Sequence, residues 1–128
     1  MNIVDASGWI EYFLDTPRAD LFAPVIENTS ELLVTSINLY EVHRLLSRKL
    51  PNHLRDTCLS LMRRATVIDF TDARAIEAAD LSIKHQLAMA DAAMYAMALE
   101  HHATLWTQDA DYQGLAGVQY VSVSVRGG

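Results

Sequence analysis

Carboxylates at the ends of β-rich runs are the residues of this chain whose placement could do chemistry. Asp5 ends a first run at residues 2–5, and Glu41 lies in the early turns of the helical pattern after a second run at residues 32–35. Asp91 opens a helical pattern over residues 90–102, and Asp109 follows a fourth run, at residues 103–107, just beyond Thr107. An open parallel sheet forms its sites beyond the carboxyl ends of its strands, where strand order reverses. Such a sheet would gather these acids at one edge. A site of carboxylates without clustered Cys or His selects hard cations, Mg²⁺ or Mn²⁺. Each acid alone also fits a plainer reading, as a favourable charge near a helix start. It is the coincidence of all four that points to a site.

The elements that must position these acids can be read from periodicity. With 128 residues, 51% apolar and 20% charged, the chain suits one globular domain over residues 1–128. Short β-rich runs alternate with longer helical patterns, which predicts an α/β domain with a central, mostly parallel five-stranded sheet. Ser7 is the expected cap of a helix over residues 8–14, with Trp9, Phe13 and Ile10 facing inward. A second helix follows Pro17 and contains Pro24, which costs it a hydrogen bond. Ser36 is the expected cap of a helix to about Leu50, with Ile37, Tyr40, Leu45 and Leu46 as its apolar positions. Pro51 opens a further helix to about Arg64, residues 66–70 form a third strand, and Thr71 caps a helix ending near Gln86. A fifth strand spans residues 118–123, after Gly114 and Gly117.

Ten basic and sixteen acidic residues give a net charge of −6, which at first sight argues against a nucleic-acid partner. The distribution argues otherwise. Residues 44–64 hold Arg44, Arg48, Lys49, Arg55, Arg63 and Arg64 against Asp56 alone, so this segment carries +5 and the rest −11. The plain alternative is a solvated helical face. The single cysteine, Cys58, permits no intramolecular disulfide and suits a reducing cytoplasm. The first residues lack the basic start of a signal peptide, and the longest apolar stretch, residues 87–99, contains Asp91 and is too short to span a bilayer. A membrane protein is not expected.

Four runs carry a resemblance: Ile3-Val4-Asp5-Ala6-Ser7, Asn38-Leu39-Tyr40-Glu41-Val42, Ala90-Asp91-Ala92-Ala93-Met94-Tyr95-Ala96 and Thr107-Gln108-Asp109-Ala110-Asp111-Tyr112. In order and approximate spacing the chain resembles the PIN-domain family, and within it the VapC-type toxin ribonucleases. The resemblance implies a three-layer α/β/α sandwich, a divalent-metal site, endonucleolytic RNA cleavage, a homodimer and a cognate antitoxin. It places Asp5, Glu41, Asp91 and Asp109 on the family's acidic quartet, and Ser7 and Thr107 on its small hydroxyl positions. Asp111 falls where many members are acidic. Tyr112 stands where Phe is common and Ala93 where a larger aliphatic is usual, departures that touch packing.

On this reading Asp5 and Asp91 are the expected direct ligands of Mg²⁺, with Asp109 completing the shell. Glu41 orients or deprotonates the attacking water. Arg44 and Arg48, three and seven residues after Glu41, would share its helical face and hold the RNA strand; the alternative for Arg44 is a surface pair with Glu41. His101 and His102 favour a helix-end dipole, and Cys58 reads as a buried small apolar residue. Trp9, Tyr12 and Phe13 read as core or partner-groove packing. Among rivals, a phospho-receiver with Asp69 as acceptor lacks a paired acid beside Asp5, where Ala6 stands, and a late lysine. A haloacid-dehalogenase-type phosphatase lacks an acid at Ser7. A PIN nuclease of RNA maturation, outside any toxin–antitoxin pair, is the serious alternative.

Overall fold

Strand β1 (Asn2–Val4) lies between β2 (Leu32–Thr35) and β4 (Thr104–Thr107), which makes it the hinge of the architecture. The structure is a computed structural model and describes residues 1–122. With β3 (Thr66–Ile68) outside β2 and β5 (Val118–Tyr120) outside β4, the sheet order is β3-β2-β1-β4-β5. Every pairing is parallel, where a mostly parallel sheet was expected. The order runs outward from β1 in both directions, so strand order reverses between β1 and β4. The carboxyl ends of these two strands therefore open the crevice in which such sheets place their sites.

Alternating side chains along the strands feed two cores, as a sheet covered on both faces requires. Ile3, Leu33 and Leu105 join Met94, Met97 and Tyr112 on the face covered by α5 (Asp72–His85) and α6 (Met89–Glu100). Val4 and Val34 join Trp9, Phe22, Val42, Leu46 and Met62 on the other. That second face is covered by α1 (Ala6–Phe13), α2 (Ala19–Ile26), α3 (Ser36–Leu46) and α4 (Asn52–Met62). This is the three-layer α/β/α sandwich that the resemblance implies. Helix α1 lies close on β1: a Cβ at Gly8 would come within 2.7 Å of Val4 Cγ1 and 2.8 Å of the Phe22 ring.

Several boundaries differ from the sequence reading, each for a local reason. Asp5, not Ser7, caps α1, because its side chain reaches the Ala6 N–H; Ser7 is already helical. Thr35, not Ser36, caps α3, through a reciprocal capping box with Asn38. That helix stops at Leu46 rather than near Leu50, and a turn over residues 47–50 precedes Pro51. Tyr40 was expected inward but is 66% exposed, because α3 presents Asn38, Val42 and Leu46 to the sheet instead. Cys58 is half-buried rather than buried. Strand β3 ends at Ile68, short of Phe70, and α6 spans Met89–Glu100 rather than residues 90–102. Strand β5 ends at Tyr120, and Val123 of the expected fifth strand lies outside the described residues. Two 3₁₀ turns, Thr29–Glu31 and Ala110–Tyr112, are too short for periodicity to reveal.

Candidate metal centre

Asp5 leaves β1 as the N-cap of α1 and is 6% exposed. Its Oδ1 accepts the Ala6 N–H at 2.8 Å and its Oδ2 the Thr107 hydroxyl at 3.0 Å. Thr107, fully buried at the end of β4, in turn accepts the Asp109 N–H on its Oγ1 at 2.9 Å. One chain of hydrogen bonds thus runs from the Asp109 backbone through Thr107 to Asp5 and ties the two strand ends across the crevice. Asp109 caps the Ala110–Tyr112 turn by accepting the Asp111 N–H at 2.9 Å. Asp91 comes from the first turn of α6. The carboxylate oxygens of Asp91, Asp109 and Asp111 lie within 4.8 Å of one another, the one such acidic trio among the described residues.

Asp5 and Glu41 stand outside that trio yet feel it. Burial pushes the Asp5 carboxyl up from 3.8 to about 6; the Thr107 and Ala6 hydrogen bonds oppose this, and the charges of Asp91 and Asp109 add to it. Glu41 rises from 4.5 to about 7, by burial first and then by the charges of Asp5 and Asp91. Asp91 is raised by burial first and by the charges of Asp109 and Asp111, with the neighbouring Tyr112 hydroxyl acting the other way. The sequence quartet and Asp111 therefore act on one another as a single field. Among the described residues none of these carboxylates stands in an ion pair, and a divalent cation would supply the neutralising charge.

Two residues that the sequence reading left aside hold this arrangement. Asn38, fully buried, donates from Nδ2 to the Val4 carbonyl at 3.0 Å and accepts the Thr35 N–H at 3.0 Å. It pins the ends of β1 and β2 one helical turn before Glu41, and the Thr-x-x-Asn capping spacing was the signal for it. Tyr112, read only as packing, is fully buried, and its hydroxyl donates to the Asp91 backbone carbonyl at 3.0 Å. Burial and the charges of Asp5 and Asp91 push its phenol far above the ordinary range, so it remains a donor. On the rim, the Gln108 amide is held between Arg18 Nε at 2.6 Å and Glu11 at 2.9 Å, which steadies the residue before Asp109.

The donor set is oxygen alone, which fits a hard divalent cation that keeps part of its water. Ser7 Oγ, two residues from Asp5, is buried without a hydrogen-bond partner among the described residues, which leaves a polar atom to spare. Of the other sequence candidates, Arg44 is exposed one turn beyond Glu41 on α3, and no ion pair joins the two among the described residues. Arg48 does not share that helical face, because α3 ends before it. His101 caps α6 with Nδ1 at 2.8 Å from the Met97 carbonyl. Asp69 follows the outer strand β3, and its carbonyl accepts from Arg74. Burial raises the Cys58 thiol, the opposite of a reactive cysteine. Trp9, Tyr12 and Phe13 line a cleft of about 200 Å³ together with Ile26 and Leu61, and none of the five site acids takes part in it.

Residues 3–118 match the profile of the PIN domain, nearly the whole described chain. This chain belongs to the PIN-domain family. No curated protein matches it in sequence. The PIN fold is shared closely with solved structures of low identity. A toxin–antitoxin complex from Klebsiella pneumoniae superposes with a TM-score of 0.79 at 20% identity, over 93% of this chain and 96% of that one. VapC20 of Mycobacterium tuberculosis, a sarcin–ricin-loop-cleaving toxin, gives 0.75 at 14% identity, over 91% and 95%. The DNA-bound VapBC of Salmonella typhimurium gives 0.73 at 16%, over 94% and 98%. The PIN domain here thus shares its fold with a chain of each of these structures. Among the described residues no helix is long and apolar enough to cross a membrane.

Proposed function

We propose that this PIN domain, a single unit over residues 1–128, is a Mg²⁺-dependent endoribonuclease and the toxin of a toxin–antitoxin pair. The observation that carries the reading is the convergence of Asp5, Glu41, Asp91, Asp109 and Asp111 on the β1–β4 crevice of a PIN fold. Asp5 and Asp91 would hold the cation, with Asp109 completing the shell and Asp111 beside it. Mn²⁺ suits the same oxygens. When bound, the cation polarises the phosphodiester and lowers the pKa of a coordinated water. Glu41, half-buried and able to hold a proton near neutral pH, takes the proton from the attacking water. Thr107 fixes the orientation of Asp5, while Asn38 sets the position of α3 and hence of Glu41. Ser7 supports the same edge. Arg44, exposed one turn beyond Glu41, draws the RNA strand to an acidic site, and Arg48 contributes charge from the following turn.

The cognate antitoxin is proposed on the strength of the toxin–antitoxin complexes that share the fold. The Trp9–Tyr12–Phe13 cleft offers apolar anchorage for such a partner. A cytoplasmic homodimer follows from the family resemblance, and exposed Ile76, Ile83 and Met89 offer an apolar face for it. The deciding experiment incubates purified protein with RNA in Mg²⁺ and in EDTA, beside Asp91→Asn, while growth is followed on induction. Internal cleavage in Mg²⁺ alone, lost in the variant together with growth arrest, supports the proposal. Cleavage without growth arrest moves the protein to RNA maturation. No metal-dependent cleavage removes the nuclease reading.

A further inference from the structure

The α3–α4 cleft is distinct from the acidic site: none of Asp5, Glu41, Asp91, Asp109 and Asp111 lines it. Its volume of about 460 Å³ is within the range of small-ligand pockets. Leu39 and Leu59 give it apolar walls, and Tyr40, His43, Ser60 and Arg63 line the remainder. Tyr40 immediately precedes Glu41, and 66% of it is exposed although Val42 and Leu46 of the same helix are fully buried. An aromatic ring over an apolar hollow, rimmed by hydrogen-bonding groups, is what an unstacked base requires. The one acid in the lining, Asp56, already has its charge answered by Arg55 at 2.9 Å. Arg44, Arg48 and Arg63 are exposed and stand in no ion pair among the described residues. All three belong to the segment that carries +5 in a chain whose remainder carries −11.

We infer that this cleft is a base-binding subsite for single-stranded RNA, in which Tyr40 stacks a base beside the cleavage position and Arg63 holds its phosphate. The cleavage position rests on the proposed nuclease activity, and the subsite on the cleft itself. Charge complementarity selects the occupant: a phosphate strand is drawn to the segment carrying +5 rather than to a remainder carrying −11. Sequence tolerance is expected, since every base has a π-face.

The test is anisotropy of a short labelled single-stranded RNA in EDTA, beside an abasic ribose–phosphate strand of equal length. Tyr40→Leu should bind the RNA about five- to tenfold more weakly, the lower end of what base–aromatic stacking contributes. It should bind the abasic strand as wild type does, while Tyr40→Phe keeps wild-type affinity for both. Arg63→Gln should weaken both strands and reduce the salt slope by about 0.7. Wild-type RNA affinity in Tyr40→Leu overturns the inference, as does an equal loss on both strands. A change of oligomeric mass in Tyr40→Leu also overturns it, by showing that a protein covers the cleft. Tyr40-dependent binding in a protein that cleaves nothing in Mg²⁺ would leave the subsite standing and remove the nuclease.

Discussion

Asp5→Asn should make the metal-free protein more stable at alkaline pH and leave it unchanged in acid. The Asp5 carboxyl titrates near 6 in the fold against an ordinary 3.8, with burial as the largest cause. A folded-state pKa above the unfolded value means that stability is complete below about 4 and drains away as pH climbs through about 6. At about 1.4 kcal/mol per pKa unit, the whole difference amounts to about 3 kcal/mol above that window. Asparagine resembles the protonated carboxyl and keeps an oxygen for the Ala6 N–H, so it should recover most of this. In a chain of this length that corresponds to roughly 10 °C in melting temperature. The assay is a set of thermal melts in EDTA from pH 4.5 to pH 8 for both proteins. The two should converge at the acid end and separate progressively above pH 5. In saturating Mg²⁺ the order should narrow or reverse, because wild type gains binding energy that the variant partly lacks. A variant that melts at or below wild type at pH 8 in EDTA would refute the reasoning, as would a gap that does not change with pH.

Glu41 should titrate near 7 in EDTA by carboxyl NMR and move downward as Mg²⁺ is added, since a nearby cation favours its charged form; a midpoint near 4.5 in both conditions would contradict the buried, repelled carboxylate. Gly8→Ala should cost about 1–3 kcal/mol from overpacking against Val4 and Phe22, less up to about 1 kcal/mol gained in helix propensity, read by urea unfolding. Asn38→Leu should cost about 2–5 kcal/mol, because it strands the buried Val4 carbonyl and Thr35 N–H, and melts of this variant should expose any error in that accounting.

Much of this architecture was legible because periodicity and strand-end chemistry agree. Asp5, Asp91 and Asp109 can be placed at one edge from the sequence alone, since each adjoins an apolar run whose direction the parallel order dictates. What escaped the sequence was side-chain reach. Ser7 and Thr35–Ser36 are all competent caps, and only geometry shows that Asp5 and Thr35 reach the free N–H groups. Tyr40 matches helical spacing as well as Val42 does, yet the helix rolls so that its face turns to solvent. Tyr112 read as packing because a buried phenol and a buried phenyl share a hydrophobic pattern, although one carries a donor for Asp91. The tight trio with Asp111 depends on the Ala110–Tyr112 turn, which no periodic signal announces.

The position of β1 between β2 and β4 has a consequence for the order of assembly. Pairing with β2 closes a span of about thirty residues, Asn2 to Leu32, whereas pairing with β4 joins Asn2 to Thr104 across nearly the whole chain. Loop closure favours the shorter connection. The half-sheet carrying Asp5 and Glu41 can therefore collect without Asp91 or Asp109, and the mutual repulsion of the acids enters only when β4 docks. Any cation that needs both halves would find its site after the main barrier. Mg²⁺ should then slow the unfolding limb of a chevron and leave the refolding limb nearly untouched. On that order the reactive centre would be the last thing to form and the first to come apart.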